Sequence, residues 1–282
     1  MLKEVGVDWI TVTCNEPELR TPFREMGIAM LHVEGWDHND VKPWSFMGFE
    51  GLHSGGAAFG EMDQMSIMRL SGGAAHAHWK RAYNLSTNCS RLDVQVTYSQ
   101  IMNVDKYIVA QYQSALDHHR SWTKPPTLDL RLSNRTGHTA YFNTRGSNFF
   151  GRTYSKWHES KLDHYRGCVR FEVQCNGRAA KFNAASLSKE SDYTTAIQSH
   201  VHRWFSSKGC SLPALSIEDR NLTVPRRRST DARRLAWIQT QVRGSIQLLC
   251  AKGMVDEVIE ALNLPQNLLD QLVQVNERKQ NK

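Results

Sequence analysis

The sequence predicts an α+β fold with a largely antiparallel sheet, flanking helices and a helical C-terminal region. Up to Gly177, several segments alternate apolar and polar residues, as half-buried strands do. The glycine-rich stretch 44–73 contains short apolar runs separated by turn residues, which is typical of an antiparallel meander. After Gly177 the apolar residues recur at helical spacing instead.

Individual elements follow from these patterns. We expect strands at 5–15, 45–51, 56–61, 65–71, 89–99, 125–133, 138–144, 151–157 and 168–175. We expect helices at 17–31, 72–85, 103–119, 178–188, 192–207, 231–251, 254–262 and 265–279, with Asn103 capping the third. Two prolines and an arginine run near 210–232 mark a change of composition. This predicts an α+β domain over 1–210 and a basic linker with a helical region over 211–282.

Composition favours a cytoplasmic protein that binds a polyanion. The chain of 282 residues has a net charge of +7, which points first to nucleic acid. It has no apolar run long enough to span a membrane and no signal-peptide pattern at its start, so we expect no membrane partner. The six cysteines lack a CxxC spacing, so we expect reduced thiols rather than disulfides or a zinc site.

Three predicted strands carry charged side chains at alternate positions, and alternate positions share one face of a strand. The positions are Arg91 and Asp93, then Arg152, Tyr154 and Lys156, then Arg170 and Glu172. A half-buried strand with a solvated polar face would show the same alternation. The pairing of a carboxylate with a cation two residues away is more specific, because it suits a metal site bordered by phosphate-binding groups.

These residue types are suited to phosphodiester chemistry. Asp93 and Glu172 could hold a hard divalent cation, Mg²⁺ or Mn²⁺, which prefers oxygen ligands and polarises a phosphate. Arginine and lysine side chains would bind the phosphoryl oxygens. Tyr154 is the candidate nucleophile, and Arg152 and Lys156 would favour its phenolate form. The alternative interpretation is a core tyrosine flanked by solvated charges.

Several segments resemble, in order along the chain, the Rep_trans-type rolling-circle replication initiators, also called the replication initiation factor family. They are VDWITVTC, SFMGFEG with GAAFG and MRLSG, SRLDVQVTY, TAYFNTRGSNFFGRTYSK and CVRFEVQCNGRAA, and they cover most of residues 5–180. The family includes initiators of plasmids and filamentous phages and related relaxases of conjugative transposons.

The resemblance implies roles for single residues. Asp93 in Arg91-Leu92-Asp93 and Glu172 in the Arg170-Phe171-Glu172 strand would be metal ligands. Tyr154, between Arg152 and Lys156, would nick one strand of origin DNA, at a hairpin or single-stranded site, and remain attached to the 5′ phosphate. The resemblance also implies recruitment of a host helicase and, in many plasmid initiators, a homodimer.

The chain departs from the family pattern at one position. Members often carry a second acid four residues after the first, where this chain has Thr97. Either another group completes the metal shell, or the site holds the metal more weakly. Tyr141 and Tyr165 compete with Tyr154 as nucleophile. A non-catalytic DNA-binding regulator on the same scaffold and a conjugative relaxase stay open as alternative functions.

A basic run near the predicted linker is the candidate for contact with the DNA backbone. Its arginines are Arg226, Arg227, Arg228, Arg233 and Arg234. Such contacts position a protein on DNA without reading its sequence, although a solvated linker would have the same composition. The histidine pairs His76/His78 and His118/His119 lack the apolar–His pattern of nickases that use two histidine ligands, so we expect them to be exposed polar residues.

Overall fold

The computed structural model describes residues 1–32 and 41–213. The strands are β1 (Leu2–Cys14), β2 (Lys42–Phe46), β3 (Phe49–Ser54), β4 (Ala57–Met62), β5 (Met65–Ser71), β6 (Asn88–Tyr98), β7 (Leu128–Arg131), β8 (Thr139–Phe142), β9 (Phe149–Ser155) and β10 (Val169–Asn176). The helices are α1 (Pro17–Leu31), α2 (Gly72–Asn84), α3 (Val104–His119), α4 (Lys156–Ser160), α5 (Arg178–Lys189) and α6 (Tyr193–Ser206).

The strands form one ten-stranded sheet in the order β2-β3-β4-β5-β1-β6-β10-β9-β8-β7. Every pairing between them is antiparallel. The three long strands β1, β6 and β10 therefore lie side by side in the middle of the sheet, where the sequence alternates most regularly. The prediction of an α+β fold with a largely antiparallel sheet is confirmed.

The helices cover one face of the sheet and bury its apolar side chains. Leu92, Val94 and Val96 of β6 and Phe171 and Val173 of β10 belong to one continuous core that α1, α2, α3, α5 and α6 complete. Burial of this apolar surface is the main force that stabilises the domain. The opposite face of the sheet, called the polar face below, carries the alternate residues of the same strands.

A bulge in β1 changes which residues reach the polar face. Val7 pairs with Val94 and Trp9 pairs with Asp93, so Asp8 is an extra residue between them. The alternation changes phase at this point: Val7 lies in the core before the bulge and Ile10 lies in the core after it. Asp8 and Trp9 consequently both lie near the polar residues of β6.

Most predicted elements are present, with one wrong strand in the meander. The predicted strand 45–51 is a hairpin of β2 and β3, because Met47 and Gly48 have positive φ angles of 51° and 87° and reverse the chain. Asn103 caps α3 by accepting a hydrogen bond from the Lys106 N–H, as predicted. His119 was expected to be exposed but is buried, with Nδ1 at 2.7 Å from the Ala115 carbonyl.

Some predictions fall on residues 33–40 and 214–282, outside the described part of the chain. They are the three C-terminal helices, the linker, and arginines 226, 227, 228, 233 and 234. Within the described ranges, no helix is long and apolar enough to cross a membrane. The five cysteines described, at 14, 89, 168, 175 and 210, are buried free thiols, as expected.

Candidate active site on the polar face

The register of β6, β10 and β9 brings the predicted site residues together. Glu172 of β10 pairs with Arg152 of β9 on one side and with Gln95 of β6 on the other. Asp93 is two residues from Gln95 on the same face of β6, so Asp93 and Glu172 are diagonal neighbours. Arg170 of β10 pairs with Tyr154. Three sequence segments far apart in the chain therefore form one polar cluster.

Glu172 is the centre of this cluster. Its carboxylate is buried and accepts two parallel hydrogen bonds from Arg152, Nε to Oε1 and Nη2 to Oε2, both 2.9 Å long. The Tyr154 hydroxyl donates to Glu172 Oε2 over 3.1 Å. The bidentate pair fixes the orientation of the carboxylate, so Oε2 is held toward the tyrosine oxygen.

Tyr154 is a protonated tyrosine at neutral pH. Burial of its ring and the negative charge of Glu172 raise the pKa of the hydroxyl well above its usual value, although Arg152 and Arg170 act in the opposite direction. The expectation that neighbouring cations favour the phenolate is therefore wrong for this structure, because desolvation outweighs them. The hydroxyl is arranged to give its proton to a carboxylate instead.

Asp93 lies beneath Arg91 in the same way that Glu172 lies beneath Arg152. The Arg91 Nε donates to Oδ1 over 2.9 Å, and the side chain of Arg91 is 32% exposed whereas that of Asp93 is 1% exposed. Burial, opposed by the hydrogen bond from Arg91 and assisted by the nearby charge of Glu172, raises the pKa of Asp93 to about 7. Two buried carboxylates thus lie close enough to repel one another.

Arg170 is fully buried and binds Thr97 together with two residues that the sequence did not single out, Glu4 and Asp8. Its guanidinium donates to Asp8 Oδ1 over 2.9 Å, to Glu4 Oε2 over 3.0 Å and to Thr97 Oγ1 over 2.9 Å. Glu4 could have been found from its position on the polar side of β1. Asp8 could not, because it depends on the bulge.

Lys156 does not share a strand face with Arg152 and Tyr154, so that prediction is wrong. Strand β9 ends at Ser155, which caps α4 by accepting from the His158 N–H, and Lys156 is the first residue of that helix. Lys156 forms an ion pair with Glu159, and its Nζ lies 5.7 Å from the centre of the Tyr165 ring.

Tyr165 and Tyr141, the competing tyrosines, occupy different surroundings. The Tyr165 hydroxyl donates to Glu4 Oε2 over 2.7 Å, and burial together with this hydrogen bond raises its pKa to about 12. Tyr141 pairs with Arg152 across β8 and β9, and its ring stacks on Phe150 at 5.8 Å. Tyr154 is the tyrosine that bonds to one of the two neighbouring site carboxylates.

Asp93 and Glu172 supply carboxylate oxygens of the kind that a hard divalent cation prefers, but arginine binds both carboxylates in this structure. A cation between them would relieve the repulsion that contributes to the raised pKa of Asp93. Among the residues described, no group of three or more histidine, cysteine or acidic side chains is placed to hold a metal. Glu4 lies opposite Thr97, where the resemblance implies a second acid, but Arg170 binds Glu4.

Comparison with known proteins supports the fold. No protein-family model and no curated protein sequence matches the chain. A solved structure of a rolling circle replication initiator protein from Geobacillus stearothermophilus has a similar fold, with a TM-score of 0.50 and 20% sequence identity. The match covers 72% of this chain and 85% of that one. At this level of identity the similarity is one of architecture.

Proposed function

We propose that this protein cleaves and rejoins one strand of DNA through a covalent bond to Tyr154, and that it initiates rolling-circle replication. One observation carries the proposal: the Tyr154 hydroxyl donates to the buried carboxylate of Glu172, which arginine holds in a fixed orientation. A nucleophile bound to a base that a third group orients is the general arrangement of covalent catalysis. The similar fold of an initiator protein supports the biological role.

The reaction balances with the groups present. Glu172 Oε2 accepts the proton of Tyr154 as its oxygen attacks the phosphorus of a phosphodiester. A bond forms between the tyrosine oxygen and the phosphorus, the bond from phosphorus to the 3′ oxygen breaks, and that oxygen takes up a proton from solvent water. Attack by a 3′ hydroxyl on the phosphotyrosine reverses these steps and rejoins the strand.

Arg152 and Arg91 are the groups best placed to meet the phosphate. Each is about one-third exposed at the side chain, 33% and 32%, above a carboxylate that is almost fully buried. Arg152 also lies over the ring of Tyr154, with its guanidinium carbon 4.8 Å from the ring centre. We propose that the exposed part of Arg152 binds a phosphate while Nε and Nη2 keep Glu172 oriented, which would place a cation beside the charge that develops in the transition state.

Asp93 and Glu172 would hold a divalent cation, Mg²⁺ or Mn²⁺, which supplies polarisation of the phosphodiester when it is bound. Arg170 has a positioning role, because it is buried and reaches Glu4, Asp8 and Thr97 rather than the surface. Lys156, at the start of α4, would contact DNA near the site rather than activate Tyr154.

One observation favours a second function, that of a DNA-binding regulator without catalysis. The Tyr154 side chain is only 5% exposed, and both site carboxylates are neutralised by arginine. A regulator would bind DNA with the same basic charge and have no need of an accessible nucleophile. Origin DNA is the proposed partner in both cases, whereas a host helicase and a homodimer belong to the initiator function.

One experiment distinguishes the two functions. The purified protein is incubated with supercoiled or single-stranded DNA from its origin region and Mg²⁺ or Mn²⁺, and the products are separated on a denaturing gel. We expect a covalent protein–DNA band that is lost in Tyr154→Phe and kept in the matched variants Tyr165→Phe and Tyr141→Phe. Loss of the band in Tyr165→Phe alone would identify Tyr165 as the nucleophile. DNA binding without any covalent band would favour the regulator.

A further inference from the structure

We propose that a row of alternating tryptophan and arginine side chains on the polar face binds the bases of single-stranded nucleic acid beside the active site. The row consists of Trp44 (β2), Arg69 (β5), Trp9 (β1) and Arg91 (β6), and we call it the tryptophan–arginine row. This inference rests on the proposed function and adds to it the path by which a single strand would leave the site.

The four side chains form a continuous series. The guanidinium carbon of Arg69 lies 5.1 Å from the ring centre of Trp9 and 5.1 Å from that of Trp44. The guanidinium carbon of Arg91 lies 4.3 Å from the ring centre of Trp9. Since Arg91 also binds Asp93, the row begins at the candidate active site and ends on β2 at the edge of the sheet.

The sheet holds both indole rings in place. The Trp9 Nε1–H donates to Thr11 Oγ1 over 3.0 Å, so the polar atom of this ring is satisfied within the protein. Trp44 lies over Gly60, where an added Cβ would come within 3.0 Å of its ring. Any larger residue at that position would push the indole away from the sheet. Rings fixed in this way lose little conformational entropy when a base stacks on them.

The charge of the row also favours a polyanion. No carboxylate in residues 1–32 or 41–213 lies within ion-pairing distance of Arg69. All four side chains of the row are half-buried, so each keeps surface for a ligand. Stacking platforms interleaved with cations are the common means of binding single strands without sequence preference, because every base has a π face and every linkage a phosphate.

The opposite flank of the site also has arginines over aromatic rings but offers less open ring surface. Tyr141 stacks on Phe150 there, with Arg131 over Tyr141 and Arg145 over Phe150. Phe150 is buried, however, so its ring is already covered within the protein. This difference assigns the single strand to the side of β1, β5 and β2.

Binding of a fluorescently labelled (dT)₂₀ oligonucleotide, followed by anisotropy in EDTA, tests this inference without requiring cleavage. We expect Trp44→Ala and Arg69→Gln each to raise the Kd about tenfold, which is the size of effect that loss of one stacked base has. Trp44→Phe should retain most of the affinity, because it keeps a stacking ring. Trp122→Ala removes a half-exposed tryptophan of the loop after α3 and should bind like the wild type.

Three outcomes would overturn the inference. Wild-type affinity in both Trp44→Ala and Arg69→Gln would show that the row does not contact the strand. A loss in Arg69→Gln alone would indicate a phosphate contact without stacking. Equal competition by duplex DNA of the same length would exclude recognition of unpaired bases. Nicking by the wild type is assayed in parallel, so a failure of the proposed function would appear there and not in the anisotropy.

Discussion

Glu4 and Thr97 lie directly opposite one another in the pairing of β1 with β6, and Arg170 donates a hydrogen bond to each. Thr97, where the resemblance to initiators implies a second acid, thus carries a hydroxyl that binds a buried arginine. A carboxylate from the neighbouring strand is close by, but it neutralises that arginine. The polar face therefore separates Asp93 and Glu172, which bind Arg91 and Arg152, from two other carboxylates, Glu4 and Asp8, which bind Arg170.

This arrangement predicts that Arg170 is important for stability. Arg170→Ala would leave Glu4 and Asp8 without their cation in a partly buried site, and loss of one partner of a buried pair costs about 3 kcal/mol or more. Urea unfolding measures the change in the free energy of unfolding. Arg166→Ala is the matched control, because its pair with Asp163 is exposed and should contribute less than about 1 kcal/mol. Equal effects of the two variants would contradict the prediction.

Glu172 is expected to control the rate of strand cleavage. Glu172→Gln keeps the shape of the side chain but removes the base that receives the Tyr154 proton, so the cleavage rate should fall by about 10²–10⁴. The rate is measured in single-turnover reactions with a labelled oligonucleotide. Glu159→Gln, which alters an exposed carboxylate paired with Lys156, is the control and should cleave nearly at the wild-type rate. A cleavage rate in Glu172→Gln within a few-fold of the wild type would exclude this carboxylate as the base.

Much of the fold and the main cluster of the site followed from the sequence, because both depend on the two-residue period of strands. Alternation in β6, β9 and β10 placed Asp93, Arg152, Tyr154 and Glu172 on polar faces, and antiparallel pairing then brought them together. The prediction of one strand over 45–51 failed because its short apolar run continues through the Met47-Gly48 turn, which the apolar pattern does not reveal.

Other features depend on local geometry that the sequence pattern does not contain. Strand β9 ends at Ser155, so Lys156 lies on a helix. The bulge at Asp8 brings both Asp8 and Trp9 to the polar face. The ionisation of Tyr154 also differed from expectation. The number of nearby cations in the sequence predicts the phenolate form. Burial of Tyr154 has the larger effect on its pKa, and burial can be read only from the folded structure.

Asp93 is expected to make stability depend on pH in the metal-free protein. Its pKa is raised to about 7 in the folded state, whereas an unfolded aspartate titrates near pH 4. Between these values the folded protein retains a proton that the unfolded chain has released, so this residue lowers stability as the pH rises. This loss of stability is absent below about pH 4 and complete above about pH 7.

Asp93→Asn removes this titration, so the difference in stability between the variant and the wild type reports it. In EDTA, the free energy of unfolding of Asp93→Asn relative to the wild type should increase steadily between about pH 4.5 and pH 7.5, as determined by urea unfolding at several pH values. Asp129→Asn, at an exposed residue of β7, is the matched control. A difference for Asp93→Asn that stays constant with pH would mean that Asp93 is ionised throughout this range.

The arginines of the basic run predict a specific change in the salt dependence of DNA binding. Each arginine that contacts a phosphate releases condensed counterions, so the slope of log K against log salt concentration changes by about 0.9 for each contact on duplex DNA. Replacing Arg226, Arg227, Arg228, Arg233 and Arg234 with glutamine should reduce the slope by up to about 4.5 for duplex DNA while leaving the cleavage of a bound oligonucleotide unchanged. Affinity is measured at several salt concentrations with the wild type alongside. An unchanged slope would mean that these residues form a solvated linker, and the positive charge that holds the DNA would then have to come from Arg69, Arg91 and Arg152 on the polar face.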